Sequence, residues 1–293
     1  MLLTTIATLC FFCAADGAQP QVCSVPTGIG GAPSSGGTGT SNSLFAESAA
    51  QVLYDEFRSE EISFLLLDAR SGEMLAARWD HPESPVPLGS LVKPFIALAY
   101  AERHGFSFPT HLCKGTASGC WLPRGHGNST IESAIASSCN SYFRMLAANM
   151  SGEDVGPTAS SFGLDVPRSD LSAAGLCGLG DDWPIAPLRM ARAYLELSRR
   201  RRQPGVREVI AGMAQSARQG TGSEVGRAMK LGDALVKTGT AACTHRQHAP
   251  GDGFVVALVP AERPHFVLLV RVHAVPGARA AAIAGRMLSR IEE

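Results

Sequence analysis

The chain has 293 residues, 45% hydrophobic and 18% charged, a composition that suits a folded protein and excludes a disordered one. Its 26 basic and 26 acidic residues cancel, which excludes a global electrostatic grip on nucleic acid. No apolar run reaches the roughly 18–20 residues that a bilayer span requires, so a multi-spanning membrane protein is excluded as well.

Residues 2–15 (LLTTIATLCFFCAA) form a short apolar stretch followed by small residues, without a preceding Lys or Arg. Residues 1–18 are therefore expected to be an export segment, the alternative being the start of a buried strand or helix. None of Cys10, Cys13 and Cys23 follows a good lipoprotein-type small-residue box. Residues 19–43 are rich in Gly, Ser and Pro and read as a flexible tether. The folded domain is expected over residues 44–293, long enough for a well-buried core.

Within it, residues 62–69 (ISFLLLDA) are strand-like, Arg70-Ser71-Gly72 is a turn, and residues 73–79 return as a second strand. Apolar residues take helical spacing over 90–104, with Pro94 in the first turn where a helix tolerates it. Residues 130–150 are largely helical, with Asn128, Ser129 or Thr130 as the cap. Residues 187–202 and 206–218 are amphipathic helices. Strands return at 234–240, 253–260 and 265–273, and Pro276 opens a last helix to about residue 291. The order implies an α/β (α+β) fold, an antiparallel sheet flanked by helices with an all-helical subdomain inserted after the first hairpin. The run of arginines at 199–202 suits a solvated helix C-terminus.

Only four basic residues are lysines: Lys93, Lys114, Lys230 and Lys237. Arg serves wherever a plain positive charge suffices, so each Lys is informative, because Lys can give up its proton and Arg cannot. Ser90 and Lys93 stand at i and i+3 of a helix start, on one face. A serine hydroxyl needs a base to become a nucleophile, and a Lys with a lowered pKa can be that base. The Ser90 N–H, free at the helix start, can donate to an oxyanion. Ser138 and Asn140 are separated by Cys139. They converge on one site if the helix is interrupted there, Ser138 to relay a proton to a leaving amine and Asn140 to hold a substrate amide. Lys237-Thr238-Gly239-Thr240 lies on a predicted strand. Gly239 leaves room for a ligand backbone. Thr238 and Thr240 can bind a carboxylate, and the Thr240 N–H can complete an oxyanion hole. Lys237 adds positive charge that helps hold Lys93 neutral.

Two of the four lysines thus occupy two short motifs, SLVK and KTGT, with SCN between them. Together these resemble the penicillin-recognising serine enzymes, the penicillin-binding transpeptidases and serine β-lactamases. FLLLDARSGEMLA resembles the family's opening hairpin, and PLGSLVKPF its nucleophile segment. CWLPRGHGNSTIESAIASSCNSYF resembles the approach to its Ser-x-Asn motif. GLGDDWPIAPLRMARAYLEL resembles its Thr-Pro-Leu-Gln helix, with Ala186 where Thr is usual. VKTGTA is closer to transpeptidases than to most β-lactamases. The likeness spans about residues 62–290.

The resemblance implies an acyl-serine enzyme acting on D-Ala-D-Ala peptides of peptidoglycan and on β-lactams, as a transpeptidase or carboxypeptidase. The catalytic residues would be Ser90, Lys93, Ser138 and Lys237. Asn140, Thr238, Gly239 and Thr240 would bind substrate. No cofactor or metal is expected, and cell-wall synthesis proteins are expected partners, in the periplasm or cell envelope. The motif intervals resemble stand-alone β-lactamases and penicillin sensors, so two alternatives stay open: a class D-like β-lactamase with a carbamylated Lys93, and a non-catalytic sensor or scaffold. Against hydrolysis, residues around Ala174, where a class A hydrolytic Glu would fall, include no carboxylate. Asp181 and Asp182 are off the pattern.

Cys113 and Cys120 enclose a six-residue loop and are the best disulfide candidates in an exported domain, the alternative being two reduced thiols. Within residues 44–293 CxxC pairs are absent, which argues against a zinc ribbon or thioredoxin-like site in the folded domain. His245 and His248 sit in a loop with no nearby carboxylate, and His126 either lines the cleft or caps a turn.

Overall fold

The computed structural model describes residues 40–59, 61–229, 233–244 and 251–292. The expected export segment, most of the tether, Lys230, His245 and His248 lie outside the described residues.

The chain opens with α1 (Thr40–Glu56), which begins inside the stretch read as tether, then the hairpin β1 (Ile62–Asp68) and β2 (Met74–Arg78). A short β3 (Val86–Pro87) leads to a 3₁₀ turn, Gly89–Val92, that runs into α2 (Lys93–Arg103). Then come β4 (His111–Cys113), β5 (Gly127–Ser129), α3 (Ile131–Ser137), α4 (Asn140–Leu146), α5 (Gly152–Ser161) and α6 (Ala173–Leu176). β6 (Pro184–Ile185), α7 (Pro187–Arg199), α8 (Val206–Gln219) and α9 (Ser223–Ala228) complete the helical block. The chain closes with β7 (Leu235–Ala241), β8 (Asp252–Val259), β9 (Phe266–His273) and α10 (Gly277–Glu292).

The main sheet has the order β2-β1-β9-β8-β7, and every pairing in it is antiparallel. Its central strands are largely apolar because both faces are covered: β8 is buried at every position. Side chains alternate, so each strand feeds two cores. Phe64, Leu66, Val255 and Val270 face one layer, with Leu53 of α1 and Ala284 and Met287 of α10. Leu65, Leu67, Val256 and Leu269 face the other, with Phe95 of α2, Tyr142 of α4 and Leu195 of α7. The sheet is therefore the middle of three layers, and the helical subdomain lies on one side of it.

β7 is the sheet edge beside the Gly89–Val92 turn. Leu235 belongs to the core facing the helical subdomain, and the period of two puts Lys237 on that same face. The approach of turn to strand depends on two glycines. A β-carbon on Gly89, whose φ is +58°, would lie 2.2 Å from the Thr240 carbonyl oxygen. One on Gly239 would lie 2.5 Å from the Leu88 carbonyl oxygen.

Candidate active site

Three segments meet at the β7 edge. Ser90 stands in the 3₁₀ turn, half-buried, and Lys93 is fully buried at the first residue of α2, followed by Pro94 in the helix's first turn. The turn is held from below by Tyr194 of α7, whose hydroxyl donates to the Leu91 carbonyl at 2.8 Å. The Ser90 N–H lies in the opening turn, where helical N–H groups lack intrahelical acceptors. Gly89 lies against the Thr240 backbone, so the nucleophile turn and the strand's end share one corner.

The second segment is the break between α3 and α4. Thr130 caps α3 through a reciprocal capping box with Ser133. α3 ends at Ser138, which adopts a left-handed conformation (φ 52°, ψ 43°), and Cys139 is extended before Asn140 starts α4. Left-handed backbone in a non-glycine residue costs about 1–2 kcal/mol, and such strain concentrates at functional sites. Here it turns both the carbonyl and the hydroxyl of Ser138 toward the lysines. Lys93 Nζ donates to the Ser138 carbonyl at 2.9 Å and to Asn140 Oδ1 at 2.6 Å, and lies 3.4 Å from Ser138 Oγ. With Oδ1 thus engaged, the Asn140 amide N–H groups are left for a ligand.

The third segment is β7 itself. Lys237 is fully buried and donates to Ser138 Oγ at 3.0 Å and to the Thr238 carbonyl at 2.7 Å. Thr238 Oγ1 and Thr221 Oγ1 are 2.6 Å apart, and the Gly277 N–H donates to Thr240 Oγ1 at 2.9 Å. Ser138 Oγ is therefore a junction between the two buried lysines.

Burial lowers both ammonium groups. Lys93 falls to about 8, although the nearby Cys177, Cys139 and Cys120 sulfurs oppose the fall. Lys237 falls well below the usual range through burial and then through the charge of Lys93. The expectation that Lys237 holds Lys93 neutral is thus reversed in emphasis: Lys93 disfavours charge on Lys237. Burial thus favours the neutral form of both amines, and a neutral amine can receive a proton from a serine.

These groups open onto a cavity of about 200 Å³ lined by Ser90, Ser138, Asn140, Thr238, Gly239 and Thr240, together with Trp121, Leu179, Thr221, Pro276, Gly277 and Ala278. Among the described residues lining it there is no carboxylate. A neighbouring groove of about 870 Å³ shares Trp121, Thr221 and Ala278 with it. The structure brings six of the eight predicted site residues to the cavity and sets Lys93 and Lys237 behind it. Sequence reading missed Thr221, whose partner hydroxyl is seventeen positions away. It also missed Tyr194, which reads as one more apolar position of an amphipathic helix.

Cys113 and Cys120 are free thiols, so the expected disulfide is absent from the structure. They converge instead with His126 and Cys139, whose ligand atoms all lie within 4.8 Å of one another. A second group, Cys243, Asp252 and His273, gathers at the ends of β7, β8 and β9.

Residues 62–291 match the family of the penicillin-binding protein transpeptidase domain. None of the curated proteins matches the chain. Among solved structures, penicillin-binding protein 2 of Pseudomonas aeruginosa in complex with WCK 5153 superposes with a TM-score of 0.69 at 17% identity, over 86% of this chain and 73% of that one. The apo transpeptidase domain of Burkholderia pseudomallei penicillin-binding protein 3 gives 0.63 at 17% identity, over 86% and 92%. The penicillin-binding protein 2 of Helicobacter pylori, solved in complex with MreC, gives 0.69 at 17% identity, over 85% and 62%. At such identities these likenesses speak for the fold, and the family match carries the rest: the chain belongs to the penicillin-binding protein transpeptidase domain family.

Proposed function

We propose that this protein acylates Ser90 with D-Ala-D-Ala peptides of peptidoglycan and passes the acyl group to an amine or to water, as a DD-transpeptidase or DD-carboxypeptidase acting outside the cytoplasm. The observation that carries this reading is the pair of buried lysines meeting at Ser138 Oγ behind Ser90. Neutral Lys93 takes the Ser90 proton as Oγ attacks the scissile carbonyl. The N–H groups of Ser90 and Thr240 receive the developing oxyanion. The proton passes through Ser138 to the departing D-Ala amine, with Lys237 keeping the hydroxyl oriented. Asn140 holds the substrate amide, and Thr238 and Thr240 hold its terminal carboxylate. An acceptor amine, or water, then reverses the sequence.

The β-lactamase alternative is the weaker one. Rapid hydrolysis needs a base for water, and no carboxylate lines the cavity among the described residues. A carbamylated Lys93 would place an anion against the Ser138 carbonyl and Asn140 Oδ1, the two acceptors that Lys93 now serves. The sensor alternative rests on the motif intervals. The test is D-Ala release from an acyl-D-Ala-D-Ala peptide, with and without an acceptor amine. Release by the wild type and none by Ser90→Ala supports the proposal. Release by both variants refutes it, and peptide binding without release supports the sensor. Cell-wall synthesis proteins fit this reading as partners.

A further inference from the structure

Four metal-ligating side chains converge behind the cavity, three from the β4–β5 excursion and one from the α3–α4 break. Cys113 ends β4, Cys120 follows in the loop, His126 precedes β5, and Cys139 stands between Ser138 and Asn140 at the break of α3 and α4. The Cys120 and Cys139 sulfurs are 3.8 Å apart. His126 Nδ1 lies 3.5 Å from Cys120 Sγ and 3.6 Å from Cys113 Sγ. A disulfide needs about 2.05 Å between sulfurs, so 3.8 Å is no bond. Tetrahedral zinc, with Zn–S near 2.3 Å and Zn–N near 2.05 Å, spaces its ligand atoms about 3.8 Å for S···S and about 3.6 Å for S···N. The three distances agree with those values.

Backbone donors also hold two of the sulfurs in place. The backbone N–H groups of His126 and Gly115 hydrogen-bond to the Cys113 sulfur, and that of Tyr142 to the Cys139 sulfur. Such N–H···S bonds fix the ligands in place and favour the anionic form. All three cysteines are buried, which closes the site to further ligands and marks it as structural rather than catalytic. Three sulfurs and one imidazole nitrogen are a zinc donor set.

We propose that Cys113, Cys120, His126 and Cys139 bind one zinc ion, and that this ion fixes the strained turn presenting Ser138 and Asn140 to the lysines. Binding releases one proton from each of the three thiols, and the neutral imidazole donates its Nδ1 lone pair. The effect on acylation rests on the function proposed above, whereas the metal site does not. Apart from the metal, the β4–β5 loop is tied to this break by the Trp121 Nε1–H bond to the Ser137 carbonyl at 3.2 Å and by the Cys120–Cys139 sulfur contact.

The test uses the full chain, purified without chelator and assayed for zinc by mass spectrometry. One zinc per chain is expected, falling about tenfold or more in Cys113→Ser and Cys139→Ser and unchanged in Cys243→Ser. Loss of zinc from Cys243→Ser with retention in Cys139→Ser would move the metal to the second cluster and overturn the assignment. Because a ligand variant can misfold, wild type is also stripped and refilled with Co²⁺. A tetrahedral thiolate spectrum supports the site. A folded chain that takes up neither metal, or a Cys113–Cys120 disulfide in the peptide map, overturns it. Amide exchange at residues 137–141 should rise in the zinc-free chain, and acylation by a fluorescent penicillin should slow about tenfold or more, both reversed by zinc. Unchanged exchange in a chain shown to be zinc-free refutes the positioning role, whatever the labelling result.

Discussion

Ser138 carries a strained backbone and a hydroxyl shared by two buried lysines, and two substitutions separate these properties. Ser138→Ala and Ser138→Gly both remove the hydroxyl, leaving Lys237 its bond to the Thr238 carbonyl at 2.7 Å. An unmet buried polar group costs about 1–3 kcal/mol, at the low end here because burial disfavours the charged form of Lys237 and the Thr238 carbonyl remains its acceptor. The alanine keeps φ at 52° and so keeps the left-handed penalty of about 1–2 kcal/mol. Glycine escapes that penalty and gives back about 0.5–1 kcal/mol in chain entropy. Ser138→Gly should therefore be about 0.5–1 kcal/mol more stable than Ser138→Ala in urea unfolding. Both should lose acylation alike, by the 10²–10⁴-fold that a positioned proton relay contributes. Stopped-flow acylation with a fluorescent penicillin measures the second quantity. A Ser138→Ala that acylates at the wild-type rate refutes the relay, and equal stabilities refute the reading of backbone strain.

Other outcomes follow from the same geometry. Lys93 must be neutral to accept the Ser90 proton, and its pKa lies near 8. Acylation should then climb about tenfold per pH unit below 8 and level off above it, and Lys93→Arg should abolish it at every pH. Gly89→Ala places a β-carbon 2.2 Å from the Thr240 carbonyl oxygen at a positive φ, so thermal unfolding should show a loss of several kcal/mol and labelling should fail. Wild-type stability in that variant would remove the close approach from the account. Tyr194→Phe leaves the buried Leu91 carbonyl without its donor, a loss of about 1–3 kcal/mol in urea unfolding. Nitrocefin turnover should be slow and indifferent to bicarbonate; a rise with bicarbonate would favour a carbamylated Lys93.

Much of the site was legible because its chemistry is local. Ser90 and Lys93 share one helix start, Lys237 to Thr240 share one strand, and scarce lysines drew attention to both. The sheet was legible because its strands are short apolar runs between turns. Other features depend on tertiary context. α5 holds Pro157 inside the helix, and the three-residue β4 and β5 are too short for periodicity. α1 starts within a Gly- and Ser-rich stretch and is secured by Leu53 and Phe57 against the sheet. The interruption at Ser138 could be posed only as a condition, since Ser-Ser-Cys-Asn has no glycine to announce a left-handed turn. The convergence of Cys113, Cys120, His126 and Cys139 escaped a search for CxxC pairs. Its ligands come from a loop excursion and a helix junction that only the fold brings together.

The central claim is that Ser90 forms the acyl-enzyme and that nothing in the cavity hydrolyses it quickly. The most direct test is fluorescent penicillin labelling of the full chain beside Ser90→Ala, followed for an hour, with the adduct located by peptide mass spectrometry. The account predicts a persistent adduct on Ser90 and none in the variant. A label on Ser90→Ala, or a wild-type adduct that forms and fades within minutes, contradicts it.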